Sequence, residues 1–201
     1  MTPKTQSTMN TTLKYTILLL SSTLALLSCK KDEGDTVEPP PPTNEEEVIT
    51  TLVLTFVDAE NVANVYELRF SDPDGDGGAA PAITTDTLPA GRAYSVSVSV
   101  LNESASPVDN ITSEIQAEDE MHQFFYQVTG ANLTMAYADA DANGMPVGLL
   151  NTAITGLASA GTLKVTLRHQ PDKSAANVSA GDITNAGGDT DIEVTFPVAI
   201  E

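Results

Sequence analysis

Ala93-Tyr94-Ser95-Val96-Ser97-Val98-Ser99-Val100 decides the fold: large apolar side chains alternate with serine at a strict period of two. Successive side chains of a strand point to opposite faces, so this stretch predicts a strand with Tyr94, Val96, Val98 and Val100 buried and the serines facing water. The same alternation sets Leu52, Leu54 and Phe56 against Thr51, Val53 and Thr55, and Leu163, Val165 and Leu167 against Lys164, Thr166 and Arg168. Near the end of the chain, Ile192, Val194, Phe196, Val198 and Ile200 alternate with Glu193, Thr195 and Pro197. A proline has no N–H to give to a ladder, so this last strand is expected at a sheet edge or with a bulge. Further strands are predicted at 66–70, 124–128, 133–137 and 147–155.

Only 111–121 reads as helix, with Ile111 and Ile115 on one side and Glu114, Glu118, Asp119 and Glu120 around the rest. Many strands separated by Gly, Asn and Asp turns, with one short helix, predict an all-β fold: a single antiparallel β-sandwich, Ig-like or transthyretin-like. The expected organisation is a leader at 1–28, a tether at 29–44 and the sandwich domain at 45–201.

The leader is read from Lys4 and Lys14, the apolar run from Tyr15 to Leu27, and Leu26-Leu27-Ser28-Cys29. A basic flank, a short apolar stretch and a small residue before the cut make a secretory signal, and the cysteine after the cut is the lipid acceptor. The run falls short of the about 20 residues of a membrane span, so Cys29 is expected to anchor the mature chain to a membrane it does not cross. From Lys30 to Asn44 little is available to bury, and Pro39 to Pro42 resist compaction, as in an extended spacer.

The formal charge is −19. Such a surface repels phosphate backbones, which excludes nucleic acid as a partner, and it attracts divalent cations. With Cys29 lipidated, no cysteine remains for a disulfide, a thiolate nucleophile or a zinc–thiolate site. There is no Gly-x-Ser-x-Gly elbow, so no catalytic residue is expected and the chain reads as a non-enzyme.

Two loops match D-x-D-x-[D/N]-G: Asp72-Pro73-Asp74-Gly75-Asp76-Gly77 and Asp139-Ala140-Asp141-Ala142-Asn143-Gly144. Oxygen ligands at alternate positions converge on a hard cation, so Asp72, Asp74, Asp76, Asp139, Asp141 and Asn143 are candidate Ca²⁺ ligands. The twelfth positions hold Ile83 and Leu150 where an EF-hand has Glu, so a closing carboxylate would come from Asp86, Asp189 or Asp191. The competing reading is that Asp-Gly and Asn-Gly are plain hairpin turns. A second candidate set is His122, His169 and Glu118, for a transition metal or for haem held between two imidazoles; His169 continues the inward parity of Leu163, Val165 and Leu167. Against it stands a pair of partly buried histidines hydrogen-bonded to carboxylates.

Ser28-Cys29-Lys30-Lys31-Asp32-Glu33 resembles Bacteroidetes-type lipoproteins, in which acidic residues after the lipidated cysteine direct export to the cell surface. The resemblance implies an outer-membrane lipoprotein facing outward. Segments 44–52, 72–77, 122–126, 167–171 and 187–194 look like a family of small lipoproteins from that phylum, commonly labelled as having a type 1 periplasmic binding fold. That label implies two α/β lobes and the binding of a small ligand or protein partner, whereas the alternation in this chain predicts strands. Asp35-Thr36-Val37 resembles the O-glycan acceptor pattern of the same phylum, which makes Thr36 a candidate glycosylation site. The functional expectation is a non-catalytic, lipid-anchored binding or structural module, stiffened by calcium. The alternatives are a metal- or haem-capture lipoprotein feeding an outer-membrane transporter, and a hydrolase using Asp74 and Asp76.

Overall fold

The serine–valine alternation becomes β4 (Ala93–Leu101), in which Tyr94, Val96, Val98 and Val100 are buried while Ser95 and Ser97 are exposed. The computed structural model describes residues 47–75 and 78–201. The expected signal peptide at 1–28, Cys29, the expected tether with Thr36, and Asp76 lie outside the described residues.

Around β4 lie β1 (Thr51–Asp58), β2 (Val65–Ser71), β3 (Ala82–Thr85), β5 (His122–Thr129), β6 (Leu133–Tyr137), β7 (Leu150–Thr155), β8 (Ser159–His169) and β9 (Asp189–Ile200). A single helix, α1 (Ile111–Ala117), connects β4 to β5. The strands form two antiparallel sheets, one ordered β3-β2-β1-β4-β7-β6 and the other β5-β8-β9. The expectation of an all-β, sandwich-like fold with one short helix holds. The apolar faces meet in one core that includes Leu52, Phe56, Tyr94 and Val98 of the larger sheet and Phe124, Leu167 and Phe196 of the smaller. Each fully buried Leu, Val or Phe stabilises by about 1.5–3 kcal/mol, so the alternating pattern itself supplies the driving force.

Pro197 sits on β9, an edge strand, where its missing N–H leaves no ladder bond unmade. Three expectations need correction. The helix ends at Ala117, because Glu118 leaves helical geometry (φ −112°, ψ 36°) and the chain tightens into a 3₁₀ turn, Asp119–Met121. The strand expected at 147–155 starts at Leu150, because the preceding residues change sheets: the Val147 carbonyl accepts from the Phe124 amide of one sheet, and the Leu149 carbonyl from the Val98 amide of the other. Finally, β3 joins the edge beside β2, although its only large apolar residue, Ile83, is exposed and so left no alternation to read.

The outer face of the smaller sheet is covered at the start of β5. Phe125 packs with Val178 and Ala186 of the long β8–β9 connection, and Gln123 Nε2 donates to the Val178 carbonyl at 2.9 Å. This end of β5 is therefore enclosed on both faces, with His122, Gln123, Phe124 and Phe125 all buried.

Candidate metal centre

β5 and β8 pair so that His122 faces His169, and both lie on the inward face with the pairs Phe124–Leu167 and Tyr126–Val165. The ring centroids are 4.6 Å apart. His122 is fully buried and His169 is 6% exposed. The parity of His169 is thus as expected, and the register adds His122 as its cross-strand partner.

Asp191 joins them through a bulge. Leu167 pairs with Ile192, but Arg168 pairs with Thr190 and His169 with Asp189, so β9 carries one extra residue at Asp191. Without the bulge, Asp191 would share the outward parity of Glu193 and Thr195. The extra residue reverses that, as bulges do when they re-aim a side chain, and the Asp191 side chain is only 2% exposed. Gly188 makes the approach of β9 to β8 possible: its φ is +69°, and a Cβ there would lie 2.2 Å from the His169 carbonyl oxygen.

The local turn at the end of α1 decides the chemistry of His122. Its Nδ1 lies 3.1 Å from the Glu118 carbonyl oxygen, which only accepts, so Nδ1 carries the proton and Nε2 a lone pair. Burial lowers the His122 pKa; the Glu118 carbonyl and charge oppose this, and neighbouring His169 and Lys173 reinforce it, so the ring is neutral at pH 7. Nε2 points at Asp191 Oδ2 and at Glu47 Oε1, each 3.9 Å away. His169 Nδ1 lies 3.9 Å from Asp191 Oδ1. Among the described residues, His122 Nε2 and both ring nitrogens of His169 are buried without a hydrogen bond.

The ligand atoms of His122, His169 and Asp191 lie within 4.8 Å of one another, and those of Glu47, Glu118 and His122 form a second such group. Ligands around a tetrahedral zinc ion, with bonds of about 2.0–2.3 Å, stand about 3.3–3.8 Å apart, so small side-chain rotations close the cluster on an ion. Two imidazoles with carboxylates suit zinc, iron, nickel or manganese better than calcium, which takes oxygen ligands only. Haem does not fit. Two imidazoles on opposite faces of a porphyrin iron have ring centres about 6 Å apart, and these rings are too close to admit the macrocycle.

Glu47, absent from the sequence-level candidates, has the most perturbed carboxyl at the site. Burial first, then the charges of Asp191, Glu114 and Glu118, raise its pKa to about 7. An acid whose folded pKa exceeds its unfolded value loses stability as it ionises. The metal-free protein is therefore expected to become less stable as pH rises from about 4.5 to about 7. The full shift corresponds to about 3 kcal/mol, an upper bound because part of the side chain remains in solvent. Melting curves in chelator should show the decline, and Glu47→Gln should flatten it.

The acidic loops have other occupations. Asp139 accepts from the Gly148 and Leu150 amides, both at 2.8 Å. Asp141 Oδ1 accepts from the Asn143 and Met145 amides, and its Oδ2 from Lys173 Nζ at 2.9 Å. Lys173 Nζ takes the Asp141 oxygen that the cation pattern would offer to calcium, and Asn143 is exposed, an arrangement that fits the competing reading of this loop as a plain turn. In the first loop, Asp74 Oδ2 accepts from the Ala79 amide, which holds its carboxyl below the usual range. A side chain at Gly78 would collide with that carboxylate. Asp72 precedes this turn, and Asp86 Oδ2 accepts from the Glu67 amide. Among the described residues, neither loop contributes a carboxylate to the histidine clusters.

Comparison with protein-family models, with curated proteins and with solved structures gives no match to this chain.

Proposed function

We propose that this protein is a non-catalytic, lipid-anchored outer-membrane module that holds a divalent first-row transition metal between His122, His169 and Asp191. The observation that carries the reading is the His122 ring. Its proton is committed to the Glu118 carbonyl, and its buried Nε2 lone pair, without a hydrogen bond among the described residues, points at carboxylate oxygens of Asp191 and Glu47 3.9 Å away. A lone pair and carboxylate oxygens repel unless a cation lies among them, and an Nδ1–H bonded to a backbone carbonyl is the usual orienting contact of a metal-bound histidine. The lipid anchor rests on the signal and Cys29 read above, and the outward-facing position on the acidic residues after Cys29. Asp74, proposed from sequence as a hydrolase carboxylate, is exposed and turned back on its own loop, which favours binding over hydrolysis.

Cobalt tests the site because its visible bands report ligand number. Titrating Co²⁺ into the chelator-stripped protein is expected to give saturable bands at one ion per chain, displaced by Zn²⁺, and His122→Gln or His169→Gln should abolish them. No saturable binding of Co²⁺, Zn²⁺, Ni²⁺ or Mn²⁺ would remove the metal and leave a structural module.

A further inference from the structure

Glu47 is the first described residue and lies ahead of β1, a strand of the larger sheet, whereas His122, His169 and Asp191 all come from the smaller sheet. Its Oε1 is 3.9 Å from His122 Nε2, and its Oε2 is buried without a hydrogen bond among the described residues. The charges that act on it are those of acids: Asp191 on β9, and Glu114 and Glu118 of the α1 segment. A carboxylate placed among carboxylates beside an imidazole lone pair is unfavourable unless the carboxyl keeps its proton or a cation is shared, and a cation replaces that proton when it binds.

We propose that Glu47 is the fourth ligand of the metal site, so that the ion acts as a clasp fixing the segment that enters β1 to the ends of β5, β8 and β9. The inference rests on the metal reading above and goes beyond it in naming the closing ligand and the mechanical consequence. Four protein ligands leave no open position for water or substrate, which makes this a structural or holding site and not a hydrolytic one. Glu47 is also the ligand on the entry side. Its side chain is 11% exposed, against 0% for His122, 2% for Asp191 and 8% for His169. It comes from a stretch outside the strands, so it is the ligand that swings away when the ion enters or leaves. In the expected chain organisation the lipid tether ends at residue 44, three positions before it, and metal occupancy would set how firmly the domain's first residues are held.

The test uses the full lipidated chain in detergent, Zn²⁺, and two readouts: affinity by competition with a chromogenic chelator, and hydrogen exchange of the amides of residues 47–51. Zn²⁺ is expected to slow exchange across 47–51. Glu47→Gln, which keeps the side-chain shape, should weaken Zn²⁺ binding about 10–100-fold and abolish that protection while His122 and His169 still bind. Glu114→Gln removes a negative charge from the same neighbourhood without removing a ligand, and should change affinity less than about threefold. Unaltered affinity in Glu47→Gln, equal losses in both variants, or bound Zn²⁺ without protection of 47–51 would each overturn the clasp and leave a three-ligand site standing. Absence of Zn²⁺ binding in the unaltered chain would overturn the metal reading, and the clasp with it.

Discussion

Zn²⁺ at about a thousand times its dissociation constant is expected to raise the melting temperature of the chelator-stripped protein by roughly 8–16 °C. A ligand that binds only the folded state stabilises it by about 4 kcal/mol at that excess, and each kcal/mol moves the midpoint of a domain of 150–250 residues by about 2–4 °C. The effect should be this large because the ligands come from distant parts of the chain. His122, His169 and Asp191 stand on three neighbouring strands, and the unfolded chain holds no preformed site. His122→Gln should remove the shift and leave the metal-free melting temperature close to that of the unaltered protein, since Gln keeps a donor for the Glu118 carbonyl. Asp74→Ala should leave the Zn²⁺ shift intact. Ca²⁺ at the same concentration should move the midpoint far less, because nitrogen ligands disfavour it. A Zn²⁺ shift that survives His122→Gln would place the ion elsewhere.

Lys173→Met is expected to cost about 3–5 kcal/mol, the penalty for stranding one partner of a buried ion pair. Lys173 Nζ donates to Asp141 Oδ2 at 2.9 Å and to the Asp119 carbonyl at 2.6 Å, and the two side chains are 7% and 1% exposed. The lysine thus pins the turn of residues 139–145 to the 3₁₀ turn that leads into His122. Removing only the lysine leaves the Asp141 carboxylate buried. The double variant Lys173→Met with Asp141→Asn should recover most of the loss, because Asn still accepts from the Asn143 and Met145 amides. Burial alone would raise the Asp141 pKa, but the Lys173 contact, the Met145 and Asn143 amides and the lysine's charge together hold it below its ordinary 3.8. A carboxyl depressed in the folded state stabilises above its unfolded pKa, and that stability is lost as pH falls below about 4. The unaltered protein should therefore lose this contribution in acid, and the double variant should not. Denaturant melts at pH 7 and pH 3 check both statements; equal losses for the single and double variants would show that the pair's charge is not what matters.

The strands were legible because their apolar periodicity is local. Tyr94 to Val100 and Leu163 to Leu167 need no knowledge of their neighbours to be assigned a face, and His169 inherits its inward parity from the latter run. The 3₁₀ turn after Ala117 was not legible, since the acidic run Glu118-Asp119-Glu120 continues a helical composition while Glu118 itself leaves helical geometry. That departure aims the Glu118 carbonyl at His122. The loops around Asp74 and Asp141 carried a cation pattern, yet their oxygens serve amides and a lysine, because short acidic turns and calcium loops share the same spacing. Lys173 lies far along the chain from Asp141 and offered no local sign of the pairing.

The sequence by itself determined the all-β class, the faces of the long strands and the acidic surface, all of which follow from side-chain alternation and composition summed along the chain. Only the tertiary structure decided the candidate site. Cross-strand register set His122 against His169, a one-residue bulge turned Asp191 from the outward face to the inward one, and the entry to β1 brought Glu47 beside His122. Each of these depends on how distant segments align, and a single residue of register reverses which face a side chain occupies.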